Sequence, residues 1–152
     1  MPAMDAVDVI LRLGAATLIG GVIGLDRDLH RKPTGVRTLG LVGLGSALAV
    51  MAVVDHDDIN AVSRAIQGVL TGIGFLGAGV IIRPAAHSRV HGLTTAACTW
   101  LTACVGVVCA VAHWKVIFVG VPLVFAVLYL GGPIEKAIHR RWGQNPDDQT
   151  GI

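Results

Sequence analysis

The chain has 152 residues, of which 53% are apolar and 14% charged, with a mean hydropathy of +0.69 and a formal net charge of +2 at pH 7. Soluble domains carry about 25% charged residues, so this composition excludes a water-soluble enzyme, and a charge of +2 is too mild for nucleic-acid binding. The length allows one domain, and three cysteines in one apolar stretch exclude a disulfide framework and give no zinc-ligand spacing.

Charged residues divide the chain into five apolar stretches, at Val9–Leu25, Leu39–Val54, Ala65–Ile82, Leu93–Ala112 and Val116–Gly132. Each is 16 to 20 residues long, near the lower limit for a bilayer-spanning helix at about 1.5 Å per residue. Only helices and closed barrels satisfy their backbone inside lipid. The period-two alternation of barrel strands is missing here. The expected fold is therefore an all-α membrane protein, a compact bundle of five transmembrane helices. The first stretch is flanked by Asp5 and Asp8 and followed by Asp26-Arg27-Asp28, unlike a cleaved signal peptide. The second is the shortest, and recruits Thr38 or starts nearer Gly35.

Nine of the twelve basic residues fall on one side of such a bundle: Arg27, Arg31, Lys32 and Arg37, then Arg83 and Arg89, then Lys136, Arg140 and Arg141. The excess marks the cytoplasmic side, which puts the N-terminus outside and the C-terminus in the cytoplasm. Residues 1–132 are expected to form the transmembrane domain and 133–152 a short basic tail. The tail would begin with an interfacial helix over Pro133–Trp142 and end disordered around Asn145–Gln149.

Four stretches are more specific than hydropathy. They are Gly20-Gly21-Val22-Ile23-Gly24-Leu25-Asp26-Arg27; Gly35-Val36-Arg37-Thr38 leading into Leu41–Ala47; Gln67–Ile81 with its glycine-rich centre; and Val90-His91-Gly92-Leu93-Thr94-Thr95 running to Trp100. In this order and spacing they resemble the membrane domain of the MgtC/SapB family, over roughly residues 9–132. The resemblance implies a multi-pass protein of the bacterial inner membrane, linked to growth at low magnesium and to virulence. It implies a regulator more than a Mg²⁺ carrier, with the membrane ATP synthase as one partner. Many members add a cytosolic C-terminal regulatory domain, which is not expected in the twenty residues after Gly132. The family pattern has Glu where Asp26 stands, and Asn in some members where Thr94 stands.

The residues themselves leave alternatives open. Gly20 and Gly24, and likewise Gly68 and Gly72 with Gly74, Gly77 and Gly79, let helix backbones approach closely. They serve packing within the bundle, a homo-oligomer seam, or a broken helix lining a cavity. Ser63, Gln67 and Thr71 share one face of the third helix, and Thr94, Cys98 and Thr102 share one of the fourth, with Thr95 and Thr99 alongside. An uncompensated amide in hydrocarbon costs several kcal/mol. Gln67 therefore joins an interhelical hydrogen bond or a polar path between helices three and four. Asp26 closes the first helix and Arg37 opens the second, so Asp26 pairs with Arg37 or Arg27, either as an anchor or as a gate. Arg27, Arg31, Lys32 and Arg37 outnumber Asp26 and Asp28, which disfavours a bound Mg²⁺ and suits anionic lipid headgroups or an acidic partner surface. Arg12 is expected to snorkel. His30, His56, His87, His91, His113 and His139 form no metal-binding pattern.

No acid pair or nucleophile–base pair rises above chance, so neither an enzyme nor a cofactor is expected. Gly72-Ile73-Gly74-Phe75-Leu76-Gly77 spells a dinucleotide fingerprint but has no preceding strand. Two functions remain: a regulator of Mg²⁺-linked ion homeostasis acting through a membrane partner, and a small cation transporter or channel lined by Gln67, Thr71, Thr94, Thr95 and Cys98.

Overall fold

The computed structural model describes residues 4–54, 58–81 and 92–142. Five helices follow in order: α1 (Ala6–Leu29), α2 (Val36–Val54), α3 (Ile59–Val80), α4 (Leu93–Ala110) and α5 (Trp114–Trp142). Among the described residues there is no strand, and all five helices are long and apolar enough to cross a bilayer. The all-helical, five-span reading therefore holds. Residues 55–57, 82–91 and 143–152 lie outside the described set, and with them Asp55 and Asp57 of the loop before α3, the basic pair Arg83 and Arg89, and the end of the tail.

The described residues form two units, divided after Ile117. In the first, α1, α2 and α4 share a close three-way contact, and α3 packs on the α2–α4 flank. The contact is close because glycines line it. A Cβ at Gly20 would lie 2.5 Å from the Leu39 carbonyl oxygen, and one at Gly43 would lie 2.5 Å from that of Ala16. Gly106 of α4 meets the Gly43 carbonyl and has Ser46 Cβ 2.9 Å from where its own Cβ would be. Buried Ile23, Leu39, Ala47, Val50, Ala103 and Cys109 fill the remaining space. The α3 contact is made by Val69, Ile73 and Gly77, spaced four apart on one face. Ile73 joins Val42 and Ala103 in one cluster, and Gly77 approaches Ala96.

Helices α1 and α4 end in the same way. After α1, Lys32 N donates to Arg27 O and Arg31 N to Asp28 O, with Arg31 left-handed at φ 53°. After α4, His113 N donates to Val108 O and Ala112 N to Cys109 O, with Ala112 at φ 55°. This paired pattern normally seats glycine at the left-handed position, because a Cβ there costs about 1–2 kcal/mol. Ala112→Gly should therefore raise stability by about 1 kcal/mol, read as a higher thermal midpoint of the purified protein in detergent.

At its far end α1 supplies a second closure. Arg12 Nη1 donates to the Ala110 carbonyl at 2.7 Å, and Nη2 lies 2.6 Å from Asp8 Oδ2. This corrects the expectation that Arg12 snorkels to solvent. A helix leaves its last carbonyls without intrahelical partners, and a half-buried guanidinium one turn into α1 satisfies one of them on α4.

The second unit is the remainder of α5, which runs without a break through Gly132 to Trp142. The residues expected to make a separate interfacial helix instead continue this one. It accommodates Pro122 and Pro133, each of which lacks the N–H for a helical bond. Phe125 and Tyr129 stack along it with ring centroids 6.3 Å apart.

Candidate functional site

The chemistry-bearing residues gather where α1 ends. Asp26 and Arg27 occupy its last turn, and both are buried, at 5% and 6% exposure. Arg27 Nη2 lies 3.3 Å from Asp26 Oδ2. Of the two pairings left open by the sequence, the structure makes Asp26–Arg27, while Arg37 is exposed on α2. Neighbours along a helix do not ordinarily face one another. Here the pair is enclosed by α4, where Arg27 Nη1 donates to Cys98 Sγ at 3.7 Å. His30 covers the outer side, with Nδ1 at 2.7 Å from the Asp26 carbonyl and 3.4 Å from Asp26 Oδ1.

Backbone geometry holds this turn in place. A Cβ at Gly24 would lie 2.6 Å from the Gly35 carbonyl oxygen and 2.7 Å from Val36 Cα, so α1 and the start of α2 touch through backbone. Asp28 points across the same turn, and its Oδ2 accepts from Val36 N at 2.9 Å. That satisfies one of the free amides at the head of α2 and explains why the helix begins at Val36, before the apolar run does. The Asp28 carboxylate also fills the space a Gly35 side chain would need.

The site is incompletely hydrogen bonded. Among the described residues, Asp26 Oδ1 and Oδ2, Arg27 Nε and the Thr34 hydroxyl are buried with no hydrogen-bond partner. The Asp26 oxygens have only the ionic neighbours already named. A buried polar cluster in this state is costly in a low-dielectric surround. The same described residues contain no group of three His, Cys, Asp or Glu placed to hold a metal ion.

The remaining candidates do not converge. Thr95, Cys98, Thr99 and Thr102 are buried on the face of α4 turned to α1 and α2. Thr99 Oγ1 donates to Thr95 O at 3.0 Å and Thr102 Oγ1 to Cys98 O at 2.8 Å. These hydroxyls are thus satisfied by their own helix and present methyl groups to the contact. Thr102 Cγ2 lies 3.1 Å from where a Gly20 Cβ would be. Thr94 is exposed. Ser63, Gln67 and Thr71 do share a face of α3, but it is exposed and is not the face that carries Val69, Ile73 and Gly77. Of the glycines on α3, Gly68, Gly72, Gly74 and Gly79 would meet nothing within 4 Å if given a side chain, and only Gly77 has a neighbour, Ala96. Arg12, whose partner is a carbonyl 98 residues away, and the buried Thr34 carry no signal in the sequence beyond their residue type.

This geometry defines a class: a multi-pass helical membrane protein whose first, second and fourth helices lock around a buried ion pair. The chain belongs to the MgtC family, whose model matches residues 13–137. It is 42% identical to Protein SrpB of Synechococcus elongatus, over 87% of this chain and 78% of that protein. It is 39% identical to Protein MgtC of Salmonella typhimurium, over 70% of this chain and 45% of that protein. With Protein SapB of Bacillus subtilis the figures are 35%, 73% and 51%. The chain thus matches only about half the length of the MgtC and SapB proteins. No solved structure matches it significantly.

Proposed function

We propose that this protein is a regulator of Mg²⁺-linked ion homeostasis in the bacterial inner membrane and acts by binding another membrane protein. The magnesium link comes from family membership. The mode of action rests on one observation: the polar face of α3, with Ser63, Gln67 and Thr71, is turned outward. Polar side chains within a span face protein or a water-filled cavity, because lipid cannot satisfy them. Four glycines with open space around them lie along the same helix, where a second helix could approach closely. A transport path between α3 and α4 is poorly supported by the same placement, since Gln67 and Thr71 are exposed while Thr95 and Cys98 are buried, Cys98 against Arg27 of α1.

Reconstitution tests this reading. Liposomes carrying the protein should show no Mg²⁺ or monovalent-cation flux above protein-free liposomes. Gln67→Leu should accumulate normally in cells, yet lose function and lose crosslinks from α3 to a membrane partner. Cation flux abolished by Gln67→Leu would make the protein a transporter and end the regulator reading.

A further inference from the structure

Arg37 stands at the head of two apolar grooves, one on each flank of α2. On the α1 side the groove has a volume of about 750 Å³ and runs past Gly21, Leu25 and Gly40 to Thr17 and Leu44. On the α3 side it has a volume of about 630 Å³ and runs past Val42, Ile73 and Gly72 to Gly45 and Ser46. Leu41 belongs to both and forms the exposed ridge between them, 68% accessible. From Arg37 to Ser46 is nine residues, about 13 Å along a helix. That is close to half of the roughly 30 Å hydrocarbon core, the depth of one leaflet.

We propose that this surface is a binding site for one anionic glycerophospholipid straddling α2. Its phosphate meets the Arg37 guanidinium at the membrane boundary, and one acyl chain lies in each groove with Leu41 between them. Charge complementarity selects the occupant. Among the described residues, Arg37 is the only charged one lining either groove, and an arginine–phosphate contact is charge-assisted and geometrically specific. Exposed Arg31 and Lys32 lie on the preceding turn and draw anionic lipid toward this end of the bundle. The two-groove form selects a two-chain molecule, since a soluble anion or a single-chain detergent leaves one groove unused. The inference is independent of whether the protein transports or regulates.

Two glycines allow each chain position to be tested without disturbing the fold. A side chain at Gly45 would meet nothing within 4 Å, and one at Gly21 only Val36 Cγ1 at 3.9 Å. Gly45→Leu and Gly21→Leu therefore fill the grooves one at a time. The experiment is native mass spectrometry of the detergent-purified protein. It is titrated with phosphatidylglycerol and, separately, with phosphatidylcholine of the same acyl chains. Phosphatidylglycerol should bind one per protein and at least tenfold more tightly. Arg37→Ala should weaken it about tenfold, Arg37→Lys less, and each groove-filling variant should also weaken it. Arg31→Ala should leave it nearly unchanged. Binding after Arg37→Ala is compared only in protein shown to be folded by its circular dichroism, and Arg37→Lys keeps the charge if insertion needs it. Equal affinity for the two lipids would overturn the proposal. So would equal losses from Arg31→Ala and Arg37→Ala, which would mark a diffuse basic surface, or unchanged affinity in both groove-filled variants.

Discussion

Gly20→Ala and Gly24→Ala should each destabilise the protein, while Gly68→Ala, Gly72→Ala, Gly74→Ala and Gly79→Ala should not. The two sets have the same chemistry and similar spacing, so the contrast isolates what surrounds them. At Gly20 and Gly24 the added methyl meets main-chain atoms of Leu39, Gly35 and Val36 at 2.5 to 3.1 Å. Backbone cannot rotate aside as a side chain can, so α1 and α2 must separate. Overpacking of this kind costs about 1–3 kcal/mol, and it also loosens the enclosure around Asp26 and Arg27 one turn away. On α3 the methyl enters open space. The only intrinsic change there is the better helix propensity of alanine, up to about 1 kcal/mol in favour of the variant. Thermal or dodecyl-sulfate unfolding in detergent would read both sets. Equal destabilisation by all six would contradict the packing described here. Stable α3 variants that nevertheless lose cellular function would place a partner on that face.

The same pair of glycine sets shows where sequence reading ends. All five helices were legible, because apolar runs of spanning length bounded by charges leave few alternatives inside lipid. Their ends were less so: α1 continues past the expected Leu25 through Asp26-Arg27-Asp28 to Leu29, whereas α2 begins at Val36, near Gly35 as its short apolar run suggested, with the Asp28 carboxylate on its first amide. Small residues four apart show that a helix can be approached closely, but not from which side. Gly20 and Gly24 touch α2, while a side chain at Gly68 or Gly72 would meet nothing within 4 Å. Periodicity likewise placed Ser63, Gln67 and Thr71 on one face of α3 and Thr94, Cys98 and Thr102 on one face of α4. It could not show that the α3 face is exposed while Cys98 and Thr102 are buried, because each helix's rotation is set by its neighbours. The burial of Asp26 and Arg27 was hidden for a related reason. Residues at a span's end look like boundary charges until Cys98, 71 positions later, is seen to cover them.

Removing one member of that pair should cost far more than removing both. In Asp26→Ala the Arg27 guanidinium stays enclosed by α4 with only a weak sulfur acceptor at 3.7 Å. An uncompensated buried charge costs about 3–5 kcal/mol. Arg27→Met leaves the carboxylate with His30 as its remaining neighbour and should cost nearly as much. The double variant Asp26→Leu with Arg27→Met carries no buried charge. It also removes Asp26 Oδ1 and Oδ2 and Arg27 Nε, three of the atoms without hydrogen-bond partners. Replacing an imperfectly satisfied buried pair with apolar groups is often neutral, or stabilising by about 1–4 kcal/mol. A double-mutant cycle on unfolding midpoints should therefore give strong coupling, with the double variant near the parent protein. Additive losses would mean that the two side chains act separately and that the 3.3 Å contact carries little energy. The double variant then becomes a tool, because it separates structure from function at one locus. If it is stable and functional, the ion pair serves only to register α1 against α4. If it is stable and inactive in cells, the charges are kept for function at a cost in stability.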